Sequence, residues 1–187
     1  SFVNGKLDIG KALVKVKAED KSRIYGSANP QLTATYTGFV NGENLASSGI
    51  TGAPALNTIA TASSRAGIYA ITSGVGTLSA GNYEFQYTEG ILTIGKATLN
   101  ISAENKSRKY GEANPSLTYT LNGFVLGESL SNSDVSGLPV LSTSASATSA
   151  VGSYDIVTGI GNLSSNNYSF VLRSEEHTSE LQSRGLI

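Results

Sequence analysis

The 187-residue sequence has no cysteine, no methionine and no tryptophan, and it has only one histidine and four prolines. Without cysteine there is no disulfide, no thiolate zinc site and no cysteine nucleophile. The histidine, His177, falls in a C-terminal stretch set apart below. Over the rest of the chain, Ser-His nucleophilic pairs and most zinc geometries are therefore excluded as well. Charge is scarce: Asp, Glu, Lys and Arg make up 14% of residues, and the net charge is −1. That leaves no basic footprint for nucleic acid and no polybasic membrane patch. No apolar run approaches the ~20 residues that span a bilayer, so no membrane insertion is expected. The chain opens on Ser1 with no visible signal peptide and reads as a fragment. An apolar fraction of 39% is still too high, with so little charge, for a disordered chain. The length allows one or two small domains.

What is present is a repeat. Lys21-Ser22-Arg23 returns as Lys106-Ser107-Arg108, Tyr25-Gly26 as Tyr110-Gly111, and Ala28-Asn29-Pro30 as Ala113-Asn114-Pro115. Gly38-Phe39-Val40 returns as Gly123-Phe124-Val125, and Asn82-Tyr83 as Asn167-Tyr168. Every offset is 85, and 39 of the 77 aligned positions from Lys11 to Tyr87 are identical in the second copy. The opening residues obey the same spacing: Gly5-Lys6-Leu7-Asp8-Ile9-Gly10 stands 85 before Gly90-Ile91-Leu92-Thr93-Ile94-Gly95. The expected organisation is the last strand of a preceding repeat over 1–10, a complete repeat over 11–95, a second repeat lacking its final strand over 96–172, and a tail over 173–187.

Each copy alternates apolar and polar residues in short runs, the mark of half-buried strands. Val14, Val16 and Ala18 form one such run, matched by Leu99, Ile101 and Ala103. Leu32, Ala34 and Tyr36, then Tyr69 and Ile71, Tyr83, Phe85 and Tyr87, and Leu92 and Ile94 form others. A weaker strand is expected between Leu56 and Ala66. Gly, Asn and Pro punctuate the intervals as turns do. Asn41–Asn44 and Leu126–Ser129 are each able to start one helical turn. The expected fold is all-β, a tandem of small antiparallel immunoglobulin-like β-sandwiches repeating every 85 residues. A β-grasp-like sheet with one short helix is the alternative. Because Gly95 runs almost directly into Ala97, a stiff, extended array is expected rather than a flexible one.

The series Lys-Ser-Arg, Tyr-Gly, Ala-Asn-Pro, Gly-Phe-Val, Asn-Tyr and Gly-x-Leu-x-Ile-Gly-Lys-Ala resembles the bacterial MBG repeat domain of the YGX type. The resemblance covers Lys11 to Leu172 and the strand at Gly5 to Ile9. It implies tandem repeats of a large secreted or cell-surface protein, such as a filamentous haemagglutinin-like adhesin. The partners it implies are the neighbouring repeats, with host or matrix glycans or proteins as further candidates. It carries over no catalytic residue, cofactor or metal.

The C-terminus departs from the pattern. Glu175, His177, Ser179 and Glu180 stand where Gly, Leu, Ile and Gly are due. Residues 173–183 resemble the translation of a common sequencing-library adapter, so the tail is expected to be non-native and is set aside from functional reasoning.

Candidate chemistry in the remainder is thin. Only Glu19/Glu104 and Glu43/Glu128 keep an acid in both copies, whereas Asp20 becomes Asn105 and Glu84 becomes Ser169. No spacing fixes an acid-base pair, so solvated surface acids and no enzyme activity are expected. Glu19-Asp20 and Glu104-Asn105 are the best candidates for calcium, but they lack a recognisable ligand loop. Lys21, Arg23, Lys106 and Arg108 read as a solvated turn, with Glu19 and Glu104 or an anionic glycan as alternative partners. Tyr25 and Tyr110 read as structural tyrosines closing a turn, and Tyr83 and Tyr168 as core. Thr33, Thr35 and Thr37 read as an exposed strand face. The expected role is a stalk or spacer; a carbohydrate-binding module and accessory repeats of a secreted enzyme are the rivals.

Overall fold

The computed structural model describes residues 3–172. The chain divides into two units, Ser1–Lys96 and Ala97–Ile187. The first holds seven strands: β1 (Ala12–Ala18), β2 (Lys21–Ile24), β3 (Ala34–Thr37), β4 (Ala55–Asn57), β5 (Gly67–Gly74), β6 (Tyr83–Thr88) and β7 (Gly90–Gly95). The second holds β8 (Ala97–Ala103), β9 (Tyr119–Asn122), β10 (Val140–Thr143), β11 (Ile156–Gly159) and β12 (Tyr168–Leu172). The fold is all-β, and no helix is assigned among the described residues.

In the first unit, one sheet has the order β3-β1-β6 and the other β2-β7-β5-β4. β1 and β6 of the first sheet pack against β5 and β7 of the second. Alternation along β1 buries Val14, Val16 and Ala18 and leaves Leu13, Lys15 and Lys17 outside. The opposite sheet contributes Ile71, Leu92 and Ile94, and Tyr83 fills the end of the core. Each such aliphatic side chain stabilises the fold by about 1.5–3 kcal/mol relative to exposure. In the second unit β12-β8-β9 repeats the first sheet, and β10 pairs with β11.

Pairing direction corrects one expectation. β1 pairs β3, β5 pairs both β4 and β7, β8 pairs β9 and β10 pairs β11 antiparallel, as expected. But β1 and β6, β2 and β7, and β8 and β12 run parallel. Alternation fixes which face of a strand is buried, not which neighbour it chooses. Here the chain crosses to the other sheet before returning, and such a crossover gives parallel neighbours.

Three local expectations also shift. The helical turn forms three residues later than the start proposed, where Ser48 N–H donates to Asn44 O at 2.9 Å and Ser133 N–H to Ser129 O at 3.0 Å. The weak strand is Ala55–Asn57, at the start of the expected interval. Residues 5–10 form no strand, and Leu7 and Ile9 are 87% and 89% exposed. Their counterparts Leu92 and Ile94 are buried because β7 lies between β2 and β5. That slot in the first unit is already filled, so 5–10 has nothing to pair with there. The tail over 173–187 lies outside the described residues.

Candidate functional site

The recurrent motif residues converge inside each unit, in three clusters. The first is built on Lys-Ser-Arg. β2 points Arg23 inward, 9% exposed, where its Nε donates to Asn29 Oδ1 at 2.7 Å. Its two terminal nitrogens donate to Ile24 O at 3.1 Å and Thr61 O at 2.5 Å. Asn29 Nδ2 in turn donates to Ala60 O at 2.6 Å. The second unit repeats the set: Arg108 reaches Asn114 Oδ1 at 2.8 Å, Lys109 O at 3.1 Å and Ser146 O, while Asn114 reaches Ala145 O at 2.6 Å. The arginine and the asparagine of Ala-Asn-Pro thus form a clamp that ties the β2 segment to the 60–61 loop. This corrects the reading of Arg23 as part of a solvated turn. A guanidinium each of whose three nitrogens donates to an oxygen can enter a core that would otherwise exclude it. The signal in the sequence was that Arg23 and Asn29 recur together at one offset.

Lys21 and Lys106 take the alternative partner. Lys21 Nζ lies 2.9 Å from Glu19 Oε2, and Lys106 Nζ lies 3.1 Å from Glu104 Oε2. Thr33 and Thr118 hydroxyls donate to the same carboxylates at 2.5 Å. These hydroxyl bonds, then the ammonium, hold both carboxyl groups below the usual range. Asp20 Oδ1 accepts from Ile91 N–H at 2.8 Å and so fastens the start of β7. Glu19, Asp20 and Glu104, nominated for calcium, are therefore engaged in the fold, while Asn105 is exposed. Among the described residues no three His, Cys, Asp or Glu side chains gather as a metal site would require. The Thr face divides: Thr33 serves Glu19, while Thr35 and Thr37 lie on β3.

The third cluster is Tyr83 with Glu43, and Tyr168 with Glu128. Both tyrosines are 1% exposed, as core reading requires. Each hydroxyl donates to its glutamate at 2.5 Å and accepts from the backbone N–H of Val40 or Val125, at 3.3 and 3.2 Å. Each ring meets Phe39 or Phe124 edge to face, with centroids 5.9 and 5.5 Å apart. Glu43 and Glu128, expected as solvated acids, instead seat the core tyrosines. Hydrogen bonding to Glu43 pushes the Tyr83 phenol up, and burial, followed by Glu128, pushes Tyr168 up to about 12. Glu84, the remaining acid considered above, lies on β6 on the exposed side. His177 lies outside the described residues.

The tyrosines of the type motif behave differently in the two copies. Tyr25 is 4% exposed, and its N–H donates to Gly95 O at 2.8 Å. Tyr110 is 69% exposed. In the first unit β7 covers this side; in the second a cleft of about 1020 Å³ opens there, lined by residues 106–108 and 152–156 among others. The structural role assigned to both tyrosines therefore holds for Tyr25 and is corrected for Tyr110 among the described residues.

A family model for the MBG domain (YGX type) matches residues 14–93 and 99–176. Domains of this family are repeat domains of surface or secreted proteins. No curated protein and no solved structure matches the chain. No helix among the described residues is long and apolar enough to cross a membrane.

Proposed function

From a chain that belongs to the MBG domain (YGX type) family, in two tandem copies, we infer a structural spacer: repeats that hold the binding region of a bacterial adhesin-like surface protein away from its anchor. The observation that carries this reading is the fate of the recurrent residues. Lys21, Arg23, Asn29, Glu43 and Tyr83, with their counterparts in the second copy, are all engaged by partners within their own unit. A ligand-binding repeat would keep its recurrent polar and aromatic residues turned outward. Here they close turns, seat the core and fasten strands. The same assignment makes the two units non-catalytic and leaves any receptor contact to other parts of the protein. Copies follow one another with a single residue, Lys96, between β7 and β8, and each copy adds 85 residues of chain.

The test is a reach assay. One, two or four copies of the 11–95 repeat are placed between a cell-surface anchor and a known binding domain, and capture of receptor-coated beads is measured. Capture that rises with copy number supports the spacer. Capture independent of copy number, or produced by the repeats without the binding domain, overturns it.

A further inference from the structure

The first and last strands of the first unit form one continuous pair. β1 runs parallel to β6 from Ala12↔Tyr83 to Lys17↔Thr88, and β2 runs parallel to β7 from Lys21↔Leu92 to Ile24↔Gly95. In all ten of these pairs the partner lies 71 residues further on. The register is therefore unbroken although both strands change sheets, β1 to β2 at 19–20 and β6 to β7 at Glu89. The change of sheet is stapled at the same offset, where Asp20 Oδ1 accepts from Ile91 N–H at 2.8 Å. Gly90 permits the close approach there, since a Cβ would come 2.5 Å from Ala18 O. Ala12 N–H donates to Asn82 O at 2.9 Å and Tyr25 N–H to Gly95 O at 2.8 Å, so backbone bonds close both ends of the pair. The second unit repeats the first half at the same offset, from Ala97↔Tyr168 to Ile101↔Leu172, with Ala97 N–H donating to Asn167 O at 2.9 Å.

Strand direction decides where the chain enters and leaves. Lys11 precedes Ala12 at one end of the pair, and Lys96 follows Gly95 at the other. Tension along the chain therefore pulls the two strands in opposite senses along their length. Every bond of the pair then shares the load, and all must yield together. An antiparallel terminal pair would bring entry and exit to the same end, where the bonds open one after another. We propose that the repeat is built to bear tension, with residues 12–24 and 83–95 acting as a shear clamp.

Two features keep the pair from sliding. A slip of one residue would turn Val14, Val16, Leu92 and Ile94 out of the core, and each of them is at most 2% exposed. Arg23 ties β2 to Asn29 and to Thr61 O, so load reaching β2 also passes into the loop beside it. Neither feature depends on what the repeats hold, so the clamp stands or falls separately from the spacer reading, which the reach assay decides.

Single-molecule force measurement tests the clamp, and a chain without cysteine lets the handles be placed at will. The full-length Lys11→Cys, Lys96→Cys variant loads the pair in shear. The full-length Lys11→Cys, Gly81→Cys variant peels β1 from β6 at one end. All three positions are exposed, and nothing lies within 4 Å of a Cβ at Gly81, so folding is spared. At one pulling speed the shear geometry is expected to need at least about twice the unfolding force of the peeling geometry, because forced unfolding reports the unfolding barrier along the direction pulled. Adding Asp20→Ala lowers the shear force and leaves the peeling force unchanged, whereas a merely destabilised unit would lose in both. Equal forces in the two geometries, a higher force on peeling, or a shear force that Asp20→Ala leaves unchanged overturns the proposal.

Discussion

At the scale of single residues, the two copies test one another. Asn41 and Leu126 occupy the same place and both have positive φ, 55° and 57°. Asparagine tolerates that region, whereas leucine pays about 1–2 kcal/mol there. Leu126 is also 47% exposed, so its side chain contributes little burial. Leu126→Asn is expected to stabilise the second unit by about 1 kcal/mol, measured as a shift in its denaturant midpoint with unchanged slope. Gly38 and Gly123 illustrate the opposite case. Both have positive φ, and a Cβ on Gly38 would meet Leu13 O at 2.6 Å, which accounts for glycine in both Gly-Phe-Val motifs. Tyr168 carries a pH signature. Its folded pKa of about 12 lies above the ordinary phenol value of 10.0, so the stability it contributes is complete below pH 10 and is lost as pH rises toward 12. Ultraviolet titration should show a late phenol ionisation that coincides with unfolding of the second unit. Glu128→Gln should move that ionisation to lower pH.

At the scale of elements, the sequence was most legible where alternation was strict. β1 and β8 follow directly from Val14-x-Val16-x-Ala18 and Leu99-x-Ile101-x-Ala103, and the buried positions are those residues, with Ala97 added and Ala103 only half-buried. β2 was hidden, because Lys-Ser-Arg-Ile has no apolar inward position. It is a strand because β7 pairs with it and because the Arg23 clamp satisfies the one side chain that turns inward. The parallel pairings were hidden for a different reason: periodicity records burial and carries no strand direction. The Tyr-Glu contact was obscured by its separation of 40 residues, although both partners recur. The clamp gives an element-scale prediction. Arg23→Ala leaves Asn29 and the Thr61 carbonyl without their donor in a part-buried setting, at a cost of about 2–3 kcal/mol to the first unit. Arg108→Ala should cost less, because its bonds are solvent-exposed. Chemical denaturation of the two variants measures the difference, and equal losses would show that burial does not set the clamp's worth.

At the scale of the whole molecule, sequence identity between the copies coexists with unequal completion among the described residues. The first unit closes its second sheet on β7; among the described residues of the second, β10 pairs with β11 on that side. Leu92 and Ile94 supply buried aliphatic surface to the first unit. Calorimetry of dilute chain should therefore resolve two transitions, the second unit melting first. The repeat itself, its period and its family were legible because they depend on identity at fixed spacing. The asymmetry between Tyr25 and Tyr110 was legible only in part, since exposure depends on what a neighbouring strand covers.

The central claim is that the recurrent Arg-Asn, Lys-Glu and Tyr-Glu pairs build each unit and do not form a receptor site. A glycan array probed with the chain, alongside an Arg23→Ala, Arg108→Ala variant, tests it most directly. The account predicts no saturable binding by either protein and a lowered melting temperature for the variant. Saturable binding by the chain that disappears in the variant, with the melting temperature unchanged, would contradict it.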